Sequence, residues 1–201
     1  MISHNRRERA KAELRRKILL AARKIALAEG WQSVTIRRIA DQVEYSAAAI
    51  YEYFDSKEAI LLAIMEEGFQ QMLAKLRSLR DEDLSSGEFL VALGRAYWQF
   101  AWQNPEIYQV MHGLGGVPFG SAAAPVAAKA LFELVREAVS SARQEIGIEG
   151  LVTDAMIEIV WATLHGLVSL SMSGRIPTEN WTNKYPLVDQ AMHLLTTGSP
   201  G

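Results

Sequence analysis

TIRRIADQVEYSAAAIYEYFDSK, residues 35–57, is the stretch that decides the fold of this chain. Thr35 is a good N-cap, because its hydroxyl can accept a hydrogen bond from an early backbone N–H of the helix that follows. Ile36, Ile39, Ala40 and Val43 then recur at i, i+3, i+4 and i+7, which is one helical face. Glu44 and Tyr45 form the turn, and Ser46 is a second N-cap, opening a helix with Ala47, Ala48, Ala49 and Ile50. Ile50 and Phe54, four apart, face inward together, and Tyr51 and Tyr53 flank that seam with hydroxyls that can reach solvent. Asp55 and Ser56 break the helix, and Ser56 caps the next one. Two short helices joined by a turn of about three or four residues make a helix-turn-helix. The second helix is too short to persist alone, so packing must hold it.

Charge divides the chain in the same place. Residues 1–57 carry 12 Lys and Arg against 7 Asp and Glu, whereas residues 58–201 carry 9 against 16. Near the N-terminus, Arg6, Arg7, Arg9, Lys11, Arg15, Arg16 and Lys17 oppose only Glu8 and Glu13. A basic segment beside a helix-turn-helix suits phosphate contact and minor-groove entry; the plainer reading is a solvated, frayed terminus.

The remainder reads as all-α, with about nine helices and no convincing strand. The first helix is expected over 11–29 with Gly30 beyond its end, and the fourth over 57–79. The fifth to ninth are expected over 88–103, 104–112, 124–145, 153–173 and 185–195. Segments 81–87, 113–120 and 177–183 are expected loops. With no cysteine in 201 residues, disulfides and thiolate metal sites are excluded. No apolar run reaches the roughly 18 residues that span a bilayer, and no apolar leader opens the chain, which favours a soluble cytoplasmic protein. A glycine-rich 113–116 lacks the lysine and spacing of a phosphate loop. G-x-S-x-G and H-E-x-x-H do not occur, so the reading is not an enzyme, with no cofactor and no metal.

The run GWQSVTIRRIADQVEYSAAAIYEYFDSKEAIL, residues 30–61, resembles the DNA-binding domain of the TetR/AcrR-like family of transcriptional regulators. The matching residues are Gly30, Thr35, Ile39 and Ala40, Ser46, the Ile50-Tyr51-x-Tyr53-Phe54 block, and Ser56-Lys57-Glu58. The family turn usually carries glycine where this chain has Glu44, so the turn is expected to be strained. The segment WATLHGL, residues 161–167, resembles the body helix of the family's WHG-type subgroup.

The resemblance implies a DNA-binding head over 1–56, with the basic arm, and a ligand-binding and dimerisation body over 57–201. Lys57, in the first turn of a helix, suits an anion, and the family position makes that anion a DNA phosphate rather than leaving a solvated surface lysine. The same comparison implies that the Tyr51 hydroxyl reaches a phosphate; alone, it reads equally well as core padding. Thr35 can cap its helix and touch a phosphate at once. Base reading falls to methyl contacts from Ala47 and Ala48, for example to thymine, with Arg37, Tyr45 and Ser46 as polar candidates and Tyr53 beside them.

In the body, Trp98, Trp102, Tyr108, Met111, His112, Phe119, Phe132, Trp161 and His165 are candidates to line a pocket for a small, largely apolar or aromatic effector, mostly on family grounds. An aromatic core explains any one of them equally well. The eighth helix is apolar nearly all round and needs cover on two sides; the ninth shows a broad apolar face. This fits the family's homodimer through helices 8 and 9, against a monomer that buries the eighth helix centrally. The partners implied are double-stranded operator DNA, a small-molecule effector and a second copy, with no membrane. The mechanism implied is a repressor released by its ligand. The alternative is a DNA-binding regulator without an effector, controlled by a protein partner.

Overall fold

The computed structural model describes residues 2–81, 83–113, 125–178, 180 and 184–197. The elements are α1 (Ile2–Glu29), a 3-10 turn (Trp31–Ser33), α2 (Ile36–Val43), α3 (Ala47–Tyr51), α4 (Lys57–Ser78), a second 3-10 turn (Leu79–Asp81), α5 (Ser86–Gln103), α6 (Pro105–Met111), α7 (Val126–Glu145), α8 (Asp154–Met172) and α9 (Tyr185–Thr197). The chain is all-α, and among the described residues there is no strand.

Two compact units emerge, 1–68 with 105–123, and 69–104 with 124–201. In the first, α1 packs against α2 and α6, and α2 against α3. Ile18, Ala22, Val34, Ile39, Ile50, Ile60 and Ile64 are closed off from solvent, with Ile107, Tyr108, Val110 and Met111 from α6. At Gly68 a side chain has no room: a Cβ there would lie 2.5 Å from Ile107 Cγ2 and 2.7 Å from Met111 Sδ. In the second unit α5 is the central helix, touching α7, α8 and α9. Leu90, Trp98, Phe100, Val139, Val168, Val188 and Met192 are buried there. Arg95 Nε donates to Asp189 Oδ1 at 2.6 Å, joining α5 to α9.

Local chemistry explains the helix ends. Thr35, Ser46 and Ser56 each accept a bond from the backbone N–H three residues on, at 3.2, 3.1 and 3.2 Å. Ser85 and Glu88 form a reciprocal capping box that starts α5 at Ser86, two residues before the expected start. The larger correction is α1, which begins at Ile2 rather than at 11. Arg, Glu and Ala between 6 and 13 are good helix formers, so the helix runs on N-terminally past Leu14, where the apolar pattern stops. Expected loop residues 114–120, 179 and 181–183, and Phe119 with them, lie outside the described residues.

A second correction concerns α8. It is long and apolar enough to cross a membrane by length and composition, with mean hydropathy 1.4 over an 18-residue window. Only 28% of that window is buried, so α8 is not a central core helix of one chain.

Candidate nucleic-acid interface

The turn between α2 and α3 is a Schellman motif. Tyr45 N–H donates to Ala40 O at 3.0 Å and Glu44 N–H to Asp41 O at 3.3 Å. The motif needs a left-handed residue between them, and Glu44 supplies it at φ 60°, ψ 40°. Among the described residues it is the one non-glycine with positive φ. The ends of α7 and α8 use the same motif with Gly147 and Gly174 at φ 75° and 72°. The strain expected at Glu44 is therefore present.

This turn presents α3 outward. Ile50 is fully buried and Phe54 nearly so, while Thr35, Arg37, Ser46, Ala47 and Ala48 are exposed. Tyr45 and Tyr51 are 48% and 53% exposed, too open to be core padding; Tyr53 and Lys57 are partly covered. The adjacent Arg38 is held differently: its guanidinium bonds Glu29 Oε2 at 2.9 Å and Ser33 O at 3.2 Å. That bond to Arg38 holds the Glu29 carboxyl below the usual carboxylate range. Of two neighbouring arginines, one is fastened to the scaffold and Arg37 faces solvent.

Lys57 carries more than its sequence position suggests. Its Nζ donates to Trp31 O at 2.9 Å, and the buried Trp31 indole donates to Glu106 O on α6 at 2.9 Å. Glu106 is itself buried, and its Oε1 accepts from Arg23 Nε and Nη2 at 3.0 and 2.8 Å. An ammonium has three donors, so Lys57 can hold Trp31 and still meet a phosphate. The chain Lys57–Trp31–Glu106–Arg23 was not foreseen. A tryptophan just before the motif, Trp31, is its only signal in the sequence.

The body candidates fall in both units. Tyr108, Met111 and His112 belong to the first, and Trp98, Trp102, Phe132, Trp161 and His165 to the second. Trp98, Tyr108 and Met111 are fully buried. Three pairs meet with tilted rings one helical turn apart: Trp98 with Trp102 at 5.8 Å, Tyr108 with His112 at 4.4 Å, and Trp161 with His165 at 6.1 Å between ring centres. Phe132 lies under Arg136 at 5.2 Å. Burial pushes the His165 imidazole below its ordinary value, so it is neutral near pH 7, with Ser169 Oγ at 3.3 Å. The Trp102 indole N–H is buried without a hydrogen-bond partner. Trp161 is 44% exposed on the outer side of α8. An open cleft of about 570 Å³ lies elsewhere, between α5 and α7, lined by Arg80, Phe89, Glu137 and Ser141.

A helix-turn-helix with an outward α3, capped by serine and threonine and followed by a separate helical unit, defines a DNA-binding regulator with a helical body. Residues 18–64 match the model for bacterial regulatory proteins of the tetR family, and residues 90–195 match the tetracyclin repressor-like C-terminal domain. The chain belongs to the TetR family and is a DNA-binding transcriptional regulator. It is 29% identical over 104 residues to a nucleoid occlusion factor of Vibrio vulnificus, matching 51% of this chain. The chain spans about half (53%) of that relative's length. A helix-turn-helix-type transcriptional regulator of Mycobacterium tuberculosis is 22% identical, with 94% of each chain covered. A solved protein of unknown function from Rhodococcus shares the fold at TM-score 0.75 and 25% identity, over 91% of this chain and 95% of that one.

Proposed function

We propose that this chain is a homodimeric repressor that leaves its operator when a small, largely apolar or aromatic ligand binds the body. In this reading residues 1–56 bind DNA and residues 57–201 bind ligand and partner. The observation that carries it is the exposed α3 face, framed by Thr35, Tyr51 and Lys57 as phosphate contacts and held rigid by caps. Arg37, Tyr45, Ser46, Ala47, Ala48 and Tyr53 complete the surface that faces the major groove. Two heads related by a two-fold axis would occupy half-sites about one helical turn apart. A protein that acts on operator DNA works in the cytoplasm, at the nucleoid, as a regulator and not as an enzyme.

Dimerisation is supported by α8. Ala155, Ile159, Ala162, Gly166 and Leu170 recur along one stripe, where Ala155, Ile159, Ala162 and Leu170 are exposed and a Cβ at Gly166 would meet nothing within 4 Å. Small residues permit close helix approach, and a second copy of α8 with α9 is the cover this stripe needs. The aromatic pairs of α5 and α8 support an apolar effector, for which the orphan Trp102 N–H would be a donor. Ligand binding would be transmitted through α4, which runs unbroken from Lys57 to Ser78.

The test is fluorescence anisotropy of the full chain on DNA from its own upstream region, with and without candidate ligands. A ligand that raises the melting temperature and lowers operator affinity supports the reading. Because coupling is reciprocal, operator DNA should weaken ligand binding by the same factor. Equal ligand affinity with and without operator would overturn release. The second reading is control by a protein partner without an effector; the partial likeness to a nucleoid occlusion factor, a name that specifies no small molecule, prompts it. It would show as operator binding that no apolar or aromatic ligand changes.

A further inference from the structure

The basic arm is not a loose tail but the first turns of α1, which starts at Ile2. Every residue from 6 to 13 is exposed, so this part of the helix has no protein beneath it. Its helical register is fixed by the core stripe Leu14, Ile18, Ala22 and Ile25, all buried. Arg7 and Lys11 continue that stripe at i−7 and i−3 from Leu14, and Arg15 stands beside it. Arg15 lies over the Phe54 ring at 4.9 Å, which places this side of α1 against the segment between α3 and α4. Arg6, Arg9, Arg16 and Lys17 lie on the other side, where Glu13 pairs with Arg16 at 2.9 Å. Glu8, exposed, flanks the inner stripe and removes part of its charge.

We propose that the N-terminal extension of α1 is a second DNA contact, with Arg7, Lys11 and Arg15 pairing with phosphates that flank the half-site met by α3. It rests on the reading of α3 as the groove-facing helix. Charge complementarity and continuity with that face decide the partner. The helical form decides the mode. A helix about 10 Å across with its side chains does not fit a minor groove about 6 Å wide, so the arm lies along the backbone instead of threading the groove. From Arg7 to Arg15 is eight residues, roughly 12 Å of axis, enough to meet several successive phosphates. Guanidinium forks suit phosphate oxygens in bidentate fashion.

The experiment uses the full chain and a duplex selected by it from a random pool, in two lengths: the selected core, and the core extended by one helical turn at each side. Arg7→Gln with Lys11→Gln removes two charges from the inner stripe; Arg6→Gln with Arg9→Gln removes the same charge from the opposite side. Arg15 is left intact because it packs on Phe54. On the extended duplex, the inner pair should lower the slope of log K against log salt by about 2 per head. The variant would then lose roughly tenfold less affinity than wild type between 50 and 200 mM salt. The outer pair should change the slope by less than half as much, and on the core duplex the two pairs should match. An unchanged slope for the inner pair, or equal effects from both pairs on the extended duplex, overturns the proposal while leaving α3 in place. A wild-type chain that selects no duplex overturns the reading of α3, and this inference with it.

Discussion

The faces that α3 and α8 leave open are built from different chemistry. On α3 and its flanks the exposed groups include hydroxyls, small methyls and a cation, Thr35, Arg37, Tyr45, Ser46, Ala47, Ala48 and Tyr51, with the carboxylates of Glu44 and Glu52 at its two ends. On α8 they are Ile159, Trp161 and Leu170, with alanine between and glycine at Gly166. Both faces are uncovered in one chain, yet water is an acceptable neighbour for the first and a poor one for the second. A polar face can wait for DNA and release it. An apolar stripe of this length is costly to leave wet, which fits a partner that stays.

The largest effect is expected on α3. Ala48→Glu puts a carboxylate where methyl groups should meet DNA, and like-charge repulsion should weaken operator binding by about a hundredfold or more with an unchanged melting temperature. Anisotropy and calorimetry check it together. Next comes the fastening of the head. Arg23→Ala leaves Glu106 buried without its partner and should cost roughly 3 kcal/mol in urea unfolding. Replacing both, Arg23→Met with Glu106→Gln, should return part of that loss. If the single variant unfolds like wild type, the ion pair is not what holds α6 to the head. On the body, Ile159→Glu should weaken self-association by about 2 kcal/mol, roughly thirtyfold, seen as a lower mass in sedimentation with helicity intact. An unchanged mass would remove the contrast between the two faces.

Two smaller effects refine the comparison. Glu44→Gly relieves the left-handed strain in the head and should stabilise the protein by about 1 kcal/mol. In contrast, Gly174→Glu, at the same position of the same motif at the end of α8, should destabilise by a similar amount. The smallest effect concerns His165. Its folded imidazole takes up a proton less readily than the unfolded one, whose ordinary value is about 6.5. The unfolded state therefore binds more protons as pH falls below about 6.5, and stability declines there and is complete above it. Comparing urea midpoints at pH 7.5 and 5.5, His165→Gln should show a smaller decline than wild type.

The head was legible in the sequence because each of its features has a single local cause. Thr35, Ser46 and Ser56 cap helices wherever they precede an apolar period, and Glu44 had to be left-handed once the turn was recognised. The body was less legible because an aromatic residue at helical spacing looks the same in a core and in a pocket. Trp98, Tyr108 and Met111 proved fully buried, while Trp161 stands on the open side of α8. Two signals of the observed helix starts do stand in the sequence: the Ser85-x-x-Glu88 capping box, and the helix-forming composition of 6–13, which lacks any apolar period. The link from Lys57 through Trp31 to Glu106 spans 75 residues between Trp31 and Glu106, a distance that local pattern does not reach.

Hydroxyl-radical footprinting of the protein on its own upstream DNA tests the central claim most directly. Wild type should protect two backbone patches about one helical turn apart, on one side of the duplex, and Ala48→Glu at the same concentration should protect neither. Equal protection by wild type and the variant would contradict the assignment of α3 as the helix that meets the major groove.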